Sequence, residues 1–315
     1  MGPSGFGSGG GLIILSPDTL DEGHGAAGFR LTYTRPDQRS DIKLQALSAE
    51  GIDAHNTRYN LNAAVGAAYG ITHQLTVSVE LPYVRRDSLR AAEDGELERL
   101  GDVSGIGDFS VLAKYRLTHG EGGGLALIGG LKVPTGSTHR RSPDGERLET
   151  EHQPGTGSWD PIAGVAAGTK LGQFGLNASA LYQWSTTGAQ ATRLGDRLQG
   201  GIAVSRRFGS APGAHQDGLN HHHGDEVDEH DHEARRASWD GFVELFGEWE
   251  GRQKIAGEIE QASGGKALWL APGARFNSAG GLSVAASLGV PLWQRIRDSH
   301  PDNAYRFSLS VGKAF

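Results

Sequence analysis

The sequence ends with thirteen residues that read NAYRFSLSVGKAF, from Asn303 to Phe315. Apolar and polar side chains alternate along this stretch, which is typical of a β-strand with one apolar and one polar face. The apolar parity holds Tyr305, Phe307, Leu309, Val311 and Phe315. One strand of this kind would also suit the edge of a soluble sandwich. The fold class therefore depends on how often the pattern recurs in the rest of the chain.

The same alternation recurs in eleven earlier segments, each close to the roughly 9–11 residues that a tilted strand needs to cross a bilayer. The twelve predicted strands are 25–35, 58–71, 75–86, 107–118, 123–135, 158–170, 174–186, 196–208, 239–250, 265–276, 281–292 and 303–315. Between the first two, residues 40–51 predict a short helix that Ser40 caps and Gly51 ends. Residues 88–106 are expected to form a long charged loop.

The connections alternate in length: those after strands one, three, five and nine are long, and those after strands two, four, six and ten are short. Outer-membrane barrels have short periplasmic turns and long outer loops, whereas a sandwich has no reason for this rhythm. We therefore predict an all-β chain, with a single transmembrane up-and-down antiparallel β-barrel of about 12 strands over residues 24–315.

The composition agrees with a barrel and excludes several other classes. No run approaches the roughly 18 apolar residues of a transmembrane helix, and the mean hydropathy is −0.41. Glycine is abundant, with 49 residues, as expected where strands bend or approach closely. The absence of cysteine excludes disulfides and thiolate metal sites. A net charge of −7 without a broad basic face argues against a nucleic-acid partner.

Both termini fit this reading. The last strand resembles the closing strand of bacterial outer-membrane barrels, which implies that Phe315 is a membrane-insertion signal read by the barrel-assembly machinery. The first residues, MGPSGFGSGGG, lack the basic start and apolar centre of a signal peptide, so we expect the precursor to carry an export signal absent from this chain. Residues 1–23 are predicted to form a flexible arm, in the periplasm or in the lumen. The expected location is the bacterial outer membrane.

Three stretches resemble a particular family. GIGDFSVLAKYRL (105–117), LKVPTGS (131–137) and QPGTGSWD (153–160) are similar to outer-membrane transporter-like proteins described as the MetA pathway of phenol degradation. The resemblance implies a porin-like passage for a small solute. Some members of the family accompany metal-efflux systems, and this chain would form a subgroup with a His-rich loop.

Charged side chains on the polar parity are predicted to line the lumen. They are Arg30, Glu80, Arg86, Lys114, Arg116, Lys132, Glu244, Glu248, Arg275 and Arg306, together with Asp108 and Arg207. They could define a path for a polar solute, or they could pair across the lumen and brace the wall. A column of carboxylates at Glu244, Glu248 and Glu250 would favour cations unless nearby arginines neutralise it.

A second candidate site is the segment 215–233, HQDGLNHHHGDEVDEHDHE, within a predicted periplasmic loop insertion at 209–238. Imidazoles and carboxylates suit Zn, Cu or Ni, and the irregular spacing predicts several weak, exchangeable sites rather than one folded centre. The alternative is a solubilising linker. The candidate metal ligands are His215, His221, His222, His223, His230, His232, Asp225, Asp228 and Asp231.

Three functional hypotheses follow, none of them enzymatic and none requiring a cofactor. The first is an outer-membrane channel for a small molecule or metal ion, linked to divalent transition metals by the His-rich loop. The second is a transporter of small aromatic or hydrophobic compounds, which predicts an N-terminal plug and an apolar constriction at Leu112, Ile128, Leu181, Phe246 and Trp269. The third is a structural or surface-interaction barrel with a blocked lumen. Membrane lipid is a partner in all three.

Overall fold

The computed structural model describes residues 11–93, 95–118, 123–209 and 237–315. In these ranges, twelve antiparallel strands form one closed barrel, because each strand pairs with the next and the last pairs with the first. The strands are β1 (Gly25–Pro36), β2 (Tyr59–Thr72), β3 (Leu75–Glu93), β4 (Phe109–Arg116), β5 (Gly123–Val133), β6 (Asp160–Leu171), β7 (Phe174–Gln183), β8 (Arg197–Phe208), β9 (Ser238–Glu250), β10 (Gly265–Asn277), β11 (Leu282–Ile296) and β12 (Asn303–Ala314). The predicted fold class is confirmed.

The apolar parity faces outward, as the closing strand predicts. Along β12, Arg306 and Ser308 are buried inside the barrel, whereas Tyr305 and Phe307 are exposed on its outside. The same holds around the wall, where large apolar side chains remain about half exposed: Val65, Val165, Ile202, Val243 and Leu288. An exposed apolar belt of this extent is what a bilayer covers, since lipid replaces water around it.

Aromatic side chains gather near the two ends of the wall. At the end with the long loops, Tyr33 stacks on Tyr59 with ring centroids 5.2 Å apart, and Tyr182 lies 4.7 Å from Trp184. At the other end, Trp239 lies 5.0 Å from Phe276. Such rings at both interfaces are typical of membrane barrels, because their faces are apolar while their edges tolerate water.

The prediction of a long loop at 88–106 is wrong. Strand β3 continues to Glu93 and pairs with a further strand, Glu96–Ile106, in a hairpin that rises above the barrel. Beyond the membrane both faces of a hairpin can meet water, so the alternation of apolar and polar residues that marks a strand is lost. A small core of Leu89, Val103 and Leu148 supports the hairpin where it meets the loop that follows β5.

The remaining elements also belong to the outer connections. The predicted helix is confirmed as Asp41–Ala49, and the Ser40 side chain caps it by accepting a hydrogen bond of 3.2 Å from the Lys43 backbone nitrogen. The other elements are the strands Ala54–Asn56, Thr192–Arg193, Lys254–Ile255 and Glu258–Ile259 and the short 3-10 helices Thr150–His152 and Ala189–Ala191. Among the described residues, no helix has the length and apolar character to span a membrane.

Candidate functional site: the occupied barrel lumen

Residues 11–24 form a segment, called the arm below, of which residues 11–17 are buried or partly buried inside the barrel and residues 21–24 are exposed. The arm leaves the lumen at the end with the short turns, where the Gly23 nitrogen donates to the Gly70 carbonyl at 3.0 Å. Further in, the Leu20 nitrogen donates to Thr76 Oγ1 at 2.8 Å. Of the predicted arm, residues 1–10 lie outside the described residues. The described part is therefore attached to the wall by backbone hydrogen bonds along its length.

The innermost part of the arm is held by one carboxylate. Oε1 of Glu244, on β9, accepts hydrogen bonds of 2.8 Å from the backbone nitrogens of both Ile13 and Ile14. On neighbouring strand β10, Arg275 Nη2 donates to the Gly11 carbonyl at 2.9 Å. Hydrogen bonds to ionised groups are about twice as strong as neutral ones, so this is the firmest attachment of the arm.

Apolar side chains of the arm pack on the wall on either side of this attachment. Ile14 is buried against Phe246 and Trp269 on β9 and β10. Leu15 is buried in a separate cluster from β4 to β7 that comprises Leu112, Ile128, Ile162, Ala166 and Leu181. The five residues predicted to form an apolar constriction thus all contribute to the surfaces that the arm covers. The arm bridges these two parts of the wall.

The fit of the arm depends on a glycine. A Cβ atom placed on Gly11 would lie 1.9 Å from Glu244 Oε1, which is closer than atoms can approach. Only a residue without a side chain lets the backbone reach the carboxylate here. Leu12 follows directly and is buried against Phe242 and Ala285.

Two buried polar atoms beside the arm have no hydrogen-bond partner among the described residues: Glu244 Oε2 and Trp269 Nε1. The first is an acceptor and the second is a donor. Unpaired buried polar atoms are costly, and native proteins keep few of them without a functional reason. Both belong to residues that the arm contacts, so a polar group that reached this place could pair with them.

The predicted lumen charges point into the barrel, and most of them are paired. Arg30 Nη2 lies 2.6 Å from Glu80 Oε2, and Arg306 makes a two-pronged contact with Glu248 at 2.8 and 2.9 Å. Lys132 Nζ lies 3.1 Å from Asp108 and 2.8 Å from Asp160. These contacts correspond to the alternative in which the lumen charges pair and brace the wall, since each of these charges has an opposite charge beside it.

Three further predicted lumen cations contact backbone carbonyls. Lys114 Nζ donates to the Ser16 carbonyl of the arm at 3.2 Å, and Arg116 Nε donates to the Thr118 carbonyl at 3.1 Å. At the outer mouth, Arg86 donates to the carbonyls of residues 151–153 at 3.0–3.3 Å. The Arg86 contacts hold the helix Thr150–His152 over the mouth.

The predicted column of carboxylates on β9 is not a free cation path. Glu248 is paired with Arg306, Glu250 Oε1 lies 3.0 Å from Arg197 Nη2, and Glu244 binds the arm. Arg197 comes from the neighbouring strand β8, which the predicted strand order already places beside β9, whereas Arg306 comes from β12, which that order does not place there. Arginines therefore neutralise Glu248 and Glu250, which is one of the two alternatives that the sequence left open for this column.

A cluster of histidines and carboxylates lies in the outer connections, made of His55, Glu149, Glu151 and His152 with Asp53 and His300 beside it. Burial would lower the pKa of His55, yet contacts with the Asp53 and Glu151 carboxylates raise this pKa well above its ordinary value. Burial and the charge of His55 together lower the pKa of His152 well below its ordinary value. Burial would raise the pKa of Glu151, but the histidines around it hold this pKa well below its ordinary value. The sequence offered these residues only as separate loop positions.

The predicted metal ligands from His215 to His232 lie outside the described residues, so their role stays a prediction. Phe315 lies at the short-turn end of the barrel with an exposed ring, and its backbone exchanges hydrogen bonds of 2.8 and 2.9 Å with Gly25. These two bonds extend the β1–β12 pairing to the last residue. The role of Phe315 as an insertion signal likewise stays a prediction.

Comparison with known proteins gives one family and a set of similar barrels. The family described as "Putative MetA-pathway of phenol degradation" matches residues 41–246. The COG4313 outer membrane channel from Pseudomonas putida F1 is similar in structure, with a TM-score of 0.59, 18% sequence identity, and coverage of 95% of this chain and 97% of that chain. The β domain of the Bordetella autotransporter BrkA has a TM-score of 0.50, 12% identity, and coverage of 92% and 99%. No curated protein matches the sequence. At these identities, the likeness to solved structures concerns the fold.

Proposed function

We propose that this chain, which belongs to the family described as the putative MetA pathway of phenol degradation, is an outer-membrane channel for small aromatic solutes. Its N-terminal arm would act as the gate. The observation that carries the proposal is the arm itself. Its apolar residues Ile14 and Leu15 occupy two apolar surfaces of the lumen, one of which contains Phe246 and Trp269. A solute that replaces the arm would meet the same surfaces.

The chemistry of these surfaces favours an aromatic solute with a polar substituent. Phe246 and Trp269 lie with nearly parallel rings, at an interplanar angle of 9° and a centroid distance of 6.2 Å. Aromatic rings favour offset-stacked or edge-to-face neighbours. Glu244 Oε2 could accept a hydrogen bond from a hydroxyl of the solute, and Trp269 Nε1 could donate one to a solute oxygen. Most charges elsewhere in the lumen are paired with one another or contact backbone carbonyls.

The transport proposal is tested by solute flux into proteoliposomes. The probes are 4-hydroxybenzoate, an aromatic acid with a hydroxyl, and sucrose, a polar solute without a ring. We expect faster entry of the aromatic probe than of sucrose, relative to empty liposomes. Equal entry of both probes would overturn the proposed selectivity. No flux and no conductance in planar bilayers would favour a structural barrel with a blocked lumen.

A second candidate function is the handling of divalent transition metals by the segment 215–233. The composition of the segment supports this function, because its nineteen residues include six histidines and seven carboxylates. Deleting the segment from the full chain should remove most of the Zn²⁺ or Cu²⁺ that it binds at micromolar concentration. Undiminished binding after the deletion would refute this function. Unchanged flux of the aromatic probe in the same variant would show that the two functions are separate.

A further inference from the structure

Three outer connections meet above the barrel mouth at the cluster around His55. The His55 nitrogen donates to the Ser299 carbonyl at 2.8 Å, which joins the segment before β2 to the connection between β11 and β12. The third connection follows β5 and carries Glu149, Glu151 and His152. Its backbone is held from below by the Arg86 contacts with residues 151–153. These backbone contacts bring the side chains of the cluster together from three separate connections.

Three atoms at the centre of the cluster are buried and lack a hydrogen-bond partner of acceptable geometry among the described residues: His55 Nδ1, Glu151 Oε1 and His152 Nε2. They face one another instead. Glu151 Oε1 lies 3.1 Å from His55 Nδ1 and 3.5 Å from His152 Nε2. The two imidazoles are almost fully buried, with 4% and 3% of their residues exposed. Such a group is costly unless something binds between its atoms.

The spacing of these atoms is that of ligands around one metal ion. Nitrogen and oxygen ligands about 2.1 Å from a tetrahedral Zn²⁺ lie about 3.4 Å from each other. The two distances from Glu151 Oε1 fall on either side of this value. Glu149 Oε2 lies 3.9 Å from His152 Nε2, and its half-exposed side chain could shift inward as a fourth ligand.

Asp53 orients His55 for such a role. Asp53 Oδ1 lies 3.0 Å from His55 Nε2, so the Nε2 proton is directed to this carboxylate, and a metal ion that displaces the proton of Nδ1 would meet its lone pair on the side of Glu151. A carboxylate behind a histidine is the usual arrangement in metal sites, because it fixes the tautomer and makes the other nitrogen a better ligand. His300 Nε2, 3.9 Å from Glu151 Oε1, borders the same space.

We propose that His55, Glu151 and His152, with Glu149, bind one divalent transition-metal ion of the Zn²⁺ class on the outer side of the barrel. The ion joins the connection after β5 to the segment before β2 and thereby fixes the helix Thr150–His152 over the mouth. This site differs from the candidate ligands in 215–233 in its residues and in its expected stoichiometry of one ion per chain. It does not depend on the identity of the transported solute.

The test uses the full chain with the six histidines of 215–233 changed to asparagine, so that the His-rich segment does not contribute. Protein stripped with a chelator, loaded with ZnCl₂ and desalted should retain one Zn²⁺ per chain by elemental analysis. His152→Ala and the isosteric Glu151→Gln should each lower the retained zinc at least tenfold. His139→Ala, in the same connection but outside the cluster, should retain it.

Folding of each variant is checked by the shift in gel mobility on heating that folded membrane barrels show. No zinc in the folded six-histidine variant, or full retention in both His152→Ala and Glu151→Gln, would overturn the proposal. If the variants fail to fold, the proposal can be tested on crystals of the unaltered chain. Crystals soaked in ZnCl₂ should show anomalous scattering at the zinc edge between His55, Glu151 and His152, and its absence would also overturn the proposal.

Discussion

Glu244 Oε1 accepts a hydrogen bond of 2.8 Å from the backbone nitrogen of Ile14, so that a carboxylate of the barrel wall holds the innermost part of the N-terminal arm. The same oxygen binds the Ile13 nitrogen. Ile14 and Glu244 are separated by 230 positions in the sequence. This contact lies beside the aromatic surface of Phe246 and Trp269 that Ile14 covers.

The first prediction concerns this contact. Glu244→Ala removes the acceptor of two charge-assisted hydrogen bonds, a loss of about 3 kcal/mol that would raise the fraction of released arm roughly 100-fold. We expect larger or more frequent openings in single-channel recordings. Glu250→Gln is the matched control, because Glu250 lies on the same strand and does not touch the arm. Recordings of Glu244→Ala that match the unaltered chain would contradict the gating role.

The second prediction concerns the close approach of Gly11. Gly11→Ala places a Cβ where Glu244 Oε1 lies, so the arm must shift. Because the chain has no cysteine, a single Leu15→Cys substitution can report arm exposure through its rate of maleimide labelling. We expect Gly11→Ala to raise this rate at least tenfold. Gly129→Ala should leave it unchanged, since nothing lies within 4 Å of a Cβ at that position.

The third prediction concerns the ion pair between Glu248 and Arg306. Glu248→Gln leaves the guanidinium of Arg306 buried without its partner, 4.4 Å from the Trp269 ring centroid. We expect the free energy of unfolding to fall by about 3 kcal/mol in urea titrations, because breaking a buried pair leaves one charge uncompensated. The exposed pair of Arg197 and Glu250 is the control, and Glu250→Gln should cost less than about 1 kcal/mol. Equal costs would show that the lumen screens both pairs alike.

The fourth prediction concerns pH and Asp196, in the outer connection before β8. Burial would raise the pKa of Asp196, but hydrogen bonds from the Ser185 nitrogen, Tyr182 and Arg193 lower this pKa below its ordinary value. A depressed carboxyl pKa stabilises the fold above the unfolded pKa, and this stability is lost as the pH falls through the folded value. Asp196→Asn should therefore lower the unfolding free energy by about 2 kcal/mol at pH 7 and by much less near pH 2. A difference that stays constant with pH would contradict this account.

The fifth prediction concerns the last residue. Phe315→Ala keeps the two backbone bonds with Gly25 but removes the exposed ring. If the ring is the insertion signal, the amount of protein in the outer membrane should fall several-fold in cells, whereas refolding of purified protein into detergent should be unchanged. Phe315→Tyr keeps an aromatic ring and should restore insertion. Equal losses in cells and in refolding would instead assign the ring to stability.

Much of the barrel could be predicted from the sequence because a membrane imposes a local rule. Each wall strand must alternate between lipid and lumen, and the alternation at Phe307 and Arg306 is visible in neighbouring letters. The rule fails above the membrane, where the hairpin around Glu93 and Glu96 was expected to be a loop. Water on both faces removes the pattern while the backbone pairing remains.

The candidate sites were only partly predictable. The parity of Glu244 predicts that its side chain points into the lumen, and residues 12–15 are visible in the sequence as a short apolar patch. Nothing in the sequence indicates that Glu244 binds the backbone of this patch. His55, Glu151 and His152 stood in separate loops with no spacing that relates them. Their approach results from strand pairing and loop packing.

The sequence by itself determined which residues face lipid, how many strands cross the membrane and which end carries the long loops, because these follow from the alternation within each strand and from the lengths of the segments between strands. Only the tertiary structure decided that the arm lies against the lumen wall, that arginines neutralise Glu248 and Glu250 of β9, and that His55 meets Glu151 and His152. These contacts join residues far apart in the chain, and closing the barrel is the step that brings them within hydrogen-bond or ligand distance.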